Sequence, residues 1–213
     1  MAKRAYGHDD KQERREVILN AAADLFGDGV GELPSAAAIA KGAGLAKGTL
    51  YLYFSTKETI FSALLLKGWG RVAALTEEIF ASSLAPAAKV DTFLSTYVSY
   101  LDQHRDLLRL DAQRSALERN LEMDTLIASK KEFVEQLIRA GGLIEASLDL
   151  QSGQGVQLLL RTHALTCGLW QSFNPDTKIP ASPEFALLQL DFTEELSQAL
   201  AEYWRGALMV QRE

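Results

Sequence analysis

Apolar residues recur every three or four positions along most of this 213-residue chain, and this periodicity limits its possible folds most strongly. Residues from Val17 to Phe26 form one such stripe, and comparable stripes follow through the middle and C-terminal thirds. This spacing places apolar side chains on one face of an α-helix. The 15 glycines and five prolines are few and fall between these segments rather than at hairpin spacing. The pattern predicts an all-α fold of about nine helices without a convincing strand.

Composition excludes several classes of protein. With 47% hydrophobic and 23% charged residues, the chain is typical of a globular protein rather than a disordered one. The longest segment without Asp, Glu, Lys or Arg runs from Thr162 to Pro175, which is shorter than the ~20 residues of a membrane helix. No apolar segment follows the basic N-terminal residues, and the single Cys167 cannot form an intramolecular disulfide. We therefore expect a cytoplasmic protein with no membrane partner.

The net charge of −6 is unevenly distributed. Residues 1–57 contain eight Lys or Arg and seven Asp or Glu, so that this segment carries +1 and the remainder −7. A nearly neutral head with clustered cations, on an acidic body, is compatible with a small DNA-binding module attached to a body that does not bind DNA.

Capping and turn signals locate individual helices. Residues 10–13 and 55–58 have the spacing of capping boxes, which predicts that the first helix opens at Asp10 and the fourth at Ser55. The later boundaries come from glycines and prolines. They are a break at Gly141-Gly142 after a helix over 122–140, a loop bounded by Pro180 and Pro183, and a last helix over 184–207.

Two short helices separated by a glycine-containing turn form a helix-turn-helix candidate. Ser35 can cap the first of them, and residues 42–44 supply the turn. In the next helix, Leu45, Leu50 and Phe54 are positioned to be buried, which leaves polar and aromatic side chains outside. Such a display suits the DNA major groove, where lysine binds phosphate or guanine and tyrosyl hydroxyls reach phosphate. The displayed residues are Ala46, Lys47, Thr49, Tyr51 and Tyr53.

Each of these features has a simpler alternative. The display after the turn could be a tyrosine-rich amphipathic helix that arose by chance. An N-terminal basic arm could follow the DNA backbone or enter a minor groove. Alternatively, its Arg14 and Arg15 pair with neighbouring acids on a solvated helix face. The arm comprises Lys3, Arg4, Lys11, Arg14 and Arg15.

Residues 39–58 resemble the TetR family of bacterial transcriptional regulators. The family pattern reads approximately Ala-Gly-(Val/Leu)-Ser-Lys-Gly-Thr-Leu-Tyr-x-(Tyr/His)-Phe-x-(Ser/Thr)-Lys-Glu. This chain has Ala43-Gly-Leu-Ala-Lys-Gly-Thr-Leu-Tyr-Leu-Tyr-Phe-Ser-Thr-Lys-Glu58. The agreement is acceptable over 10–65, whereas the rest agrees mainly in helix count and length. Ala46 replaces the usual Ser or Thr, and Ala36 replaces a residue that often carries a hydroxyl group. We therefore expect DNA affinity to depend more on Lys47 and the N-terminal arm.

The resemblance implies a helix-turn-helix DNA-binding domain over residues 1–57 and an effector-binding and dimerisation domain over 58–213. It implies a homodimeric repressor that binds a near-palindromic double-stranded DNA operator and is released by a small-molecule effector. The residues implied or predicted to contact DNA are Ser35, Ala46, Lys47, Gly48, Thr49, Tyr51, Tyr53 and Lys57.

Residues of the later helices provide candidates for the effector pocket and for the dimer interface. Aromatic and polar side chains could line a pocket or could be ordinary core, namely Tyr97, Tyr100, His104, Met123, Phe133, His163 and Trp170. The last two helices carry more apolar surface than one bundle needs, which predicts a two-fold dimer. The interface candidates are Leu159, Thr166, Leu188, Phe192, Leu196 and Tyr203.

No catalytic, cofactor-binding or metal-binding residue is assigned. Residues 42–49 superficially resemble a phosphate loop, but their lysine precedes the glycine and no strand leads into them. His163 and Cys167 have metal-ligand spacing, but two ligands do not make a site, so a core or interface pair is expected. No Ser-His-acid arrangement is indicated.

The alternative function is that of a TetR-like small-molecule or lipid carrier, or an enzyme, that keeps the fold and uses only the pocket. A protein of that kind has no reason to display Lys47, Tyr51, Tyr53 and Lys57 together. The sequence therefore favours DNA binding.

Overall fold

The computed structural model describes residues 2–27, 29, 31–174 and 182–210. Within these ranges the chain forms ten α-helices and one 3₁₀ helix, with no β-strand. The all-α prediction is confirmed, with one α-helix more than the nine expected. None of the helices in the described ranges is long and apolar enough to cross a membrane. The helices are α1 Ala2–Gly27, α2 Ala36–Gly42, α3 Lys47–Leu50, α4 Lys57–Ala81, α5 Pro86–Gln103, α6 Arg105–Asp111, α7 Arg114–Arg119, α8 Met123–Leu148, α9 Gln154–Phe173, the 3₁₀ helix Pro183–Leu188, and α10 Phe192–Val210.

The chain divides into two compact units. The first unit comprises Met1–Gly68 and Arg109–Lys131, and the second comprises Trp69–Leu108 and Glu132–Glu213. Helices α4, α6 and α8 therefore contribute residues to both units.

The core of the first unit forms around the apolar stripe of α1. Ile18 and Ala22 are fully buried. One turn further along, the ring of Phe26 lies 5.7 Å from that of Phe61 on α4. The periodicity read from the sequence is thus the buried face of α1, and burial of this face holds the helix against its neighbours.

The core of the second unit is centred on Trp204 of α10, which is fully buried. Its ring lies 5.1 Å from that of Phe93 and 6.4 Å from that of Phe80. The indole Nε1 donates a hydrogen bond of 2.9 Å to Thr162 Oγ1, and Thr162 in turn donates to the carbonyl of Leu158. The indole N–H of Trp204 and the hydroxyl of Thr162 are therefore buried with hydrogen-bond partners, which offsets their loss of hydration.

Two predicted helix starts are wrong. Helix α1 begins at Ala2 rather than Asp10, because the preceding residues include good helix formers that extend the helix past the predicted cap. Helix α4 begins at Lys57, and its cap is Thr56 rather than Ser55. The Thr56 hydroxyl accepts a hydrogen bond of 3.1 Å from the backbone N–H of Thr59.

The last helix also begins later than predicted. Residues 183–188 form a 3₁₀ helix, and α10 begins at Phe192 rather than near residue 184. The Asp191 carboxylate accepts hydrogen bonds of 2.9 Å from the backbone N–H groups of Thr193 and Glu194, which caps this start. Pro180, the other predicted loop boundary, lies outside the described residues.

Gly141 and Gly142 do not break the helix that contains them, because α8 continues to Leu148. A Cβ atom added to Gly155 of α9 would lie 2.1 Å from the carbonyl oxygen of Gly141. One added to Gly141 would lie 2.7 Å from the backbone nitrogen of Val156. The pair Gly141 and Gly155 therefore allows α8 and α9 to approach backbone to backbone. Local sequence signals do not distinguish a glycine with this role from one that ends a helix.

Candidate nucleic-acid interface and effector cavity

The turn between α2 and α3 is closed by local hydrogen bonds. The Ser35 hydroxyl accepts a bond of 3.2 Å from the backbone N–H of Ala38 at the start of α2. At its end, the N–H of Leu45 donates to the carbonyl of Ala40 at 2.8 Å. Gly44 has a φ of +66°, a conformation that favours glycine. These features fix the direction in which the chain enters α3.

Helix α3 is a single turn that carries three of the eight predicted DNA-contacting residues, Lys47, Gly48 and Thr49, and the other five lie outside it. Of the three side chains predicted to be buried, Leu50 is fully buried and Phe54 is 1% exposed, whereas Leu45 is partly exposed. The predicted set divides by exposure. Ser35, Ala46, Lys47, Gly48 and Tyr51 are exposed, whereas Thr49, Tyr53 and Lys57 are partly exposed.

The lysines around α3 have no acidic partner among the described residues, a property they share with Lys11 and Lys131 of the same unit. Among the described residues, Lys41, Lys47 and Lys57 make no ion pair. By contrast, Lys67 and Lys130 each pair with a glutamate, at 2.5 Å. The ammonium groups near α3 are therefore available to an external anion such as a phosphate.

Arg15 of the predicted arm contacts the segment that follows α3 rather than a neighbouring acid. Its Nη1 donates a hydrogen bond of 2.9 Å to the carbonyl of Tyr53, and its guanidinium carbon lies 4.3 Å from the centroid of the Phe54 ring. A cation stacked on this ring stabilises the segment that follows α3. The side chains of Lys3 and Arg4 lie outside the described part of the chain.

Leu52 is a candidate contact that sequence reasoning missed. It lies between two displayed tyrosines and is 77% exposed. An exposed apolar side chain on a groove-binding segment can contact the methyl group of thymine. The signal was present in the sequence, because residues 50–54 are all apolar or aromatic and a one-turn helix cannot bury every one of them.

The second unit contains an apolar cavity between α4, α5, α8 and α9. Its volume is about 40 Å³, which is room for a few water molecules. No Asp, Glu, Lys or Arg is among the described residues that line it. The lining consists of Trp69, Val72, Ala73, Thr76, Tyr97, Phe133, Gln136, Leu137, Leu159, Leu160, Thr162 and His163.

Three of the seven predicted pocket residues, Tyr97, Phe133 and His163, meet at this cavity. Tyr97 shares a hydrogen bond of 2.9 Å with the Thr166 hydroxyl. The ring of His163 meets that of Trp69 edge to face, with centroids 4.6 Å apart. His163 Nε2 also lies 3.4 Å from the Cys167 sulfur. Most polar groups of the wall are thus engaged within the second unit.

The other four predicted pocket residues lie elsewhere. Tyr100 and His104 stack at 4.1 Å and line an open groove together with Arg71. Burial raises the pKa of Tyr100, as does the nearby Asp106 carboxylate, whereas Arg71 lowers it. Trp170 is buried against the ring of Phe192, with centroids 5.0 Å apart. Met123 is 66% exposed at the start of α8, in the first unit.

The predicted interface residues divide between core and surface. Thr166, Phe192 and Leu196 are buried inside the single chain. Leu188 is 53% exposed, and Leu159 and Tyr203 are partly exposed. Among the six, only these last three retain surface that a second chain could cover.

Two family models match this chain and together span most of it. The model "Bacterial regulatory proteins, tetR family" matches residues 18–64. The model "Tetracyclin repressor-like, C-terminal domain" matches residues 69–211. Similarity in sequence extends to the fatty acid metabolism regulator protein of Bacillus subtilis (strain 168), which is 26% identical over 168 residues. That alignment covers 75% of this chain and 86% of the relative.

Solved structures show the same fold. The transcriptional regulator FadR from Bacillus subtilis, in complex with stearoyl-CoA, has a TM-score of 0.55 at 21% identity, covering 88% of this chain and 95% of that one. FadR from Thermus thermophilus, a TetR-family transcriptional repressor in complex with lauroyl-CoA, has a TM-score of 0.56 at 20% identity, covering 88% and 91%. The helix-turn-helix unit, the helical body and the matches to both family models agree, and the chain belongs to the TetR family of bacterial regulatory proteins.

Proposed function

We propose that this protein is a homodimeric transcriptional repressor that binds a near-palindromic operator through α3 and is released by a small-molecule effector held in the second unit. Two copies of α3 related by a dimer axis would enter successive major grooves if they lie ~34–36 Å apart. We keep the division proposed from the sequence, with DNA binding in residues 1–57 and effector binding and dimerisation in 58–213, because α3 lies in the first range and the cavity residues lie in the second.

The observation that carries this proposal is the set of unpaired cations and exposed tyrosine around α3. Lys47 and Lys57 make no ion pair among the described residues, and Tyr51 is 43% exposed. What sets these groups apart from other unpaired lysines of the first unit, such as Lys131, is that they lie together on the stretch that follows the turn between α2 and α3. Contact with a DNA backbone accounts for all of them at once.

The test is fluorescence anisotropy with labelled DNA from the region upstream of the protein's own gene, against an unrelated duplex, at two salt concentrations. We expect the wild-type protein to prefer the upstream duplex by ~10³-fold or more. Lys47→Ala should weaken binding by ~5- to 150-fold and reduce the salt dependence by about one phosphate contact. Tyr51→Ala should weaken binding to the preferred duplex.

The matched control is Lys131→Ala, which removes one exposed cation of the same unit outside α3. It should leave both affinity and salt slope nearly unchanged. If Lys47→Ala and Tyr51→Ala behave like Lys131→Ala, the segment around α3 does not recognise the operator. Equal, weak binding of wild type to both duplexes would instead favour a carrier that uses only the cavity.

We place the effector in the cavity of the second unit. Its mainly apolar wall, which contains no Asp, Glu, Lys or Arg among the described residues, suits a hydrophobic molecule, as does the acyl chain of the acyl-CoA ligands with which the two FadR proteins were solved. A volume of about 40 Å³ is far below the ~300 Å³ of ordinary ligand pockets, so binding requires the helices around the cavity to move apart.

That expansion provides a route for release. Trp69, Val72 and Thr76 of α4 line the cavity, and Lys57 begins the same continuous helix. An effector that selects an expanded state would displace α4 and, through it, the DNA-binding residues. A preference of ~3 kcal/mol for the state that does not bind DNA lowers operator affinity about 150-fold.

A further inference from the structure

The cavity wall contains one polar group that the fold leaves unsatisfied. Gln136 Oε1 on α8 is buried, and it has no hydrogen-bond partner among the described residues. The side-chain amide lies over Gly70 of α4, where a Cβ atom would come within 3.0 Å of Nε2. An amide oxygen buried without a donor destabilises the empty protein, and such groups are rare in native structures.

The surroundings of Gln136 limit what can satisfy it. The neighbouring hydroxyls of Thr76 and Thr162 already donate to the carbonyls of Val72 and Leu158. The Tyr97 hydroxyl is hydrogen-bonded to Thr166. No Asp, Glu, Lys or Arg lines the cavity in the described part of the chain, and its wall is mainly apolar, so the loss of hydration of an ion entering it would be poorly compensated. An uncharged molecule is therefore the donor that this wall accommodates best.

We infer that the cavity binds an uncharged, mainly apolar ligand carrying a hydrogen-bond donor, such as a hydroxyl or an amide N–H, which pairs with Gln136 Oε1. This inference rests on the proposed function in taking the cavity as the effector site, and it adds the chemical class of the effector. Gln136 is the specificity-determining residue, because a ligand without the donor leaves its oxygen unpaired in an apolar site.

A pair of isomers tests this directly. 1-Octanol and heptyl methyl ether have the same composition and nearly the same length, but only the alcohol can donate a hydrogen bond. In calorimetric titrations of the full-length protein, we expect 1-octanol to bind ~10-fold or more tightly than the ether. In Gln136→Leu this preference should disappear, since both isomers then meet an apolar wall. Equal binding of the isomers to wild type, or a preference retained by Gln136→Leu, overturns the inference.

A second measurement requires no ligand and no DNA. Replacing the unsatisfied amide by leucine, which has a similar volume, should raise the Tm of the empty protein by about 2–8 °C. The matched control is Gln157→Leu on α9, which removes a solvent-exposed amide and should change neither Tm nor the preference for the alcohol. An unchanged or lower Tm for Gln136→Leu would mean that the amide already has a partner, which contradicts the inference.

These outcomes are separable from the test of the proposed function. If the protein distinguishes the isomers through Gln136 but does not prefer upstream DNA, the ligand site stands and the repressor proposal fails. If it binds operator but shows no preference between the isomers, the repressor proposal stands and the assignment of Gln136 fails.

Discussion

The two units place their candidate sites in opposite ways. In the first unit, the candidate DNA-binding residues lie within one stretch, 35–57, and hydrogen bonds within that stretch close the turn that presents them. In the second unit, the cavity takes its wall from four helices, between residues 69 and 163. A site on a contiguous stretch depends on local geometry, whereas a site built from separate helices depends on how closely those helices pack. The two sites should therefore respond differently to the same kind of mutation.

The largest effect is expected where two helices of the second unit meet backbone to backbone. Gly155→Ala would place a Cβ atom 2.1 Å from the carbonyl oxygen of Gly141, and a backbone atom cannot rotate away. We expect a loss of about 3 kcal/mol or more in the free energy of unfolding, measured by chemical denaturation. The cavity lined by α8 and α9 should also change shape, which altered tryptophan fluorescence would report because Trp69 lines it.

Gly142→Ala is the control for this substitution. Gly142 is exposed on the same helix as Gly141, and an added Cβ would have no neighbour within 4 Å. Alanine should therefore stabilise α8 by up to ~1 kcal/mol, since it favours helix more than glycine does. Similar losses for Gly155→Ala and Gly142→Ala would show that the close approach of α8 and α9 does not limit this unit.

A smaller effect is expected at the turn of the first unit. Gly44→Ala puts a side chain at a φ of +66°, which costs about 1–2 kcal/mol without any packing clash, because a Cβ there would have no neighbour within 4 Å. The unfolding free energy should fall by this amount.

Gly48→Ala separates stability from recognition in the same unit. A Cβ at Gly48 also has no neighbour within 4 Å, so this variant should be at least as stable as wild type. It should nevertheless bind operator more weakly if the backbone of α3 approaches DNA closely. Unchanged operator affinity for Gly48→Ala would remove Gly48 from the proposed interface.

The smallest effect is expected at Asp102, whose partners are one local residue and one distant residue. Arg105 and Thr193 donate hydrogen bonds to its Oδ1, and these bonds lower the pKa of Asp102 below its ordinary value of 3.8. At pH values above 3.8 the Asp102 carboxylate therefore stabilises the folded state. This stabilisation is lost as the pH falls through the lowered pKa of Asp102. Because the side chain is 42% exposed, the contribution is strongly screened.

Thermal unfolding of Asp102→Asn from pH 7 to pH 2 checks this expectation. The Tm should lie slightly below that of wild type at pH 7, and the difference should vanish in acid. Asp91→Asn, an exposed position on the same helix, should show no such pH-dependent difference. A difference that grows in acid would reverse the sign and contradict the lowered pKa.

The success of sequence reasoning followed the range of the interactions involved. The turn after α2 and the burial of Leu50 and Phe54 were predicted because they depend on residues a few positions apart. The capping residue of α4 was predicted less well. The hydroxyls of Ser55 and Thr56 are equivalent as sequence signals, and only the path of the backbone selects Thr56 as the cap. The role of Arg15 was missed because its partners lie 38 residues away.

In the second unit, residue type was a weaker guide. Tyr97 and Phe133 line the cavity, whereas Trp170, of the same aromatic character, packs in the core against Phe192. Periodicity assigns a residue to the apolar face of its helix, but it does not tell which neighbouring helix that face meets. No sequence pattern indicates that Gln136 Oε1 is unsatisfied, because this depends on which side chains of other helices surround it.

The sequence by itself determined the helical fold, the helix-turn-helix and the family, since each rests on periodicity, turn residues or a contiguous motif. Tertiary structure alone decided that Gly141 and Gly155 join α8 to α9 and that four helices leave a cavity of about 40 Å³ between them. It also decided that Gln136 faces that cavity unpaired. The physical reason is that dihedral preferences act over a few residues, whereas close packing and the burial of polar atoms depend on all the helices that surround a site.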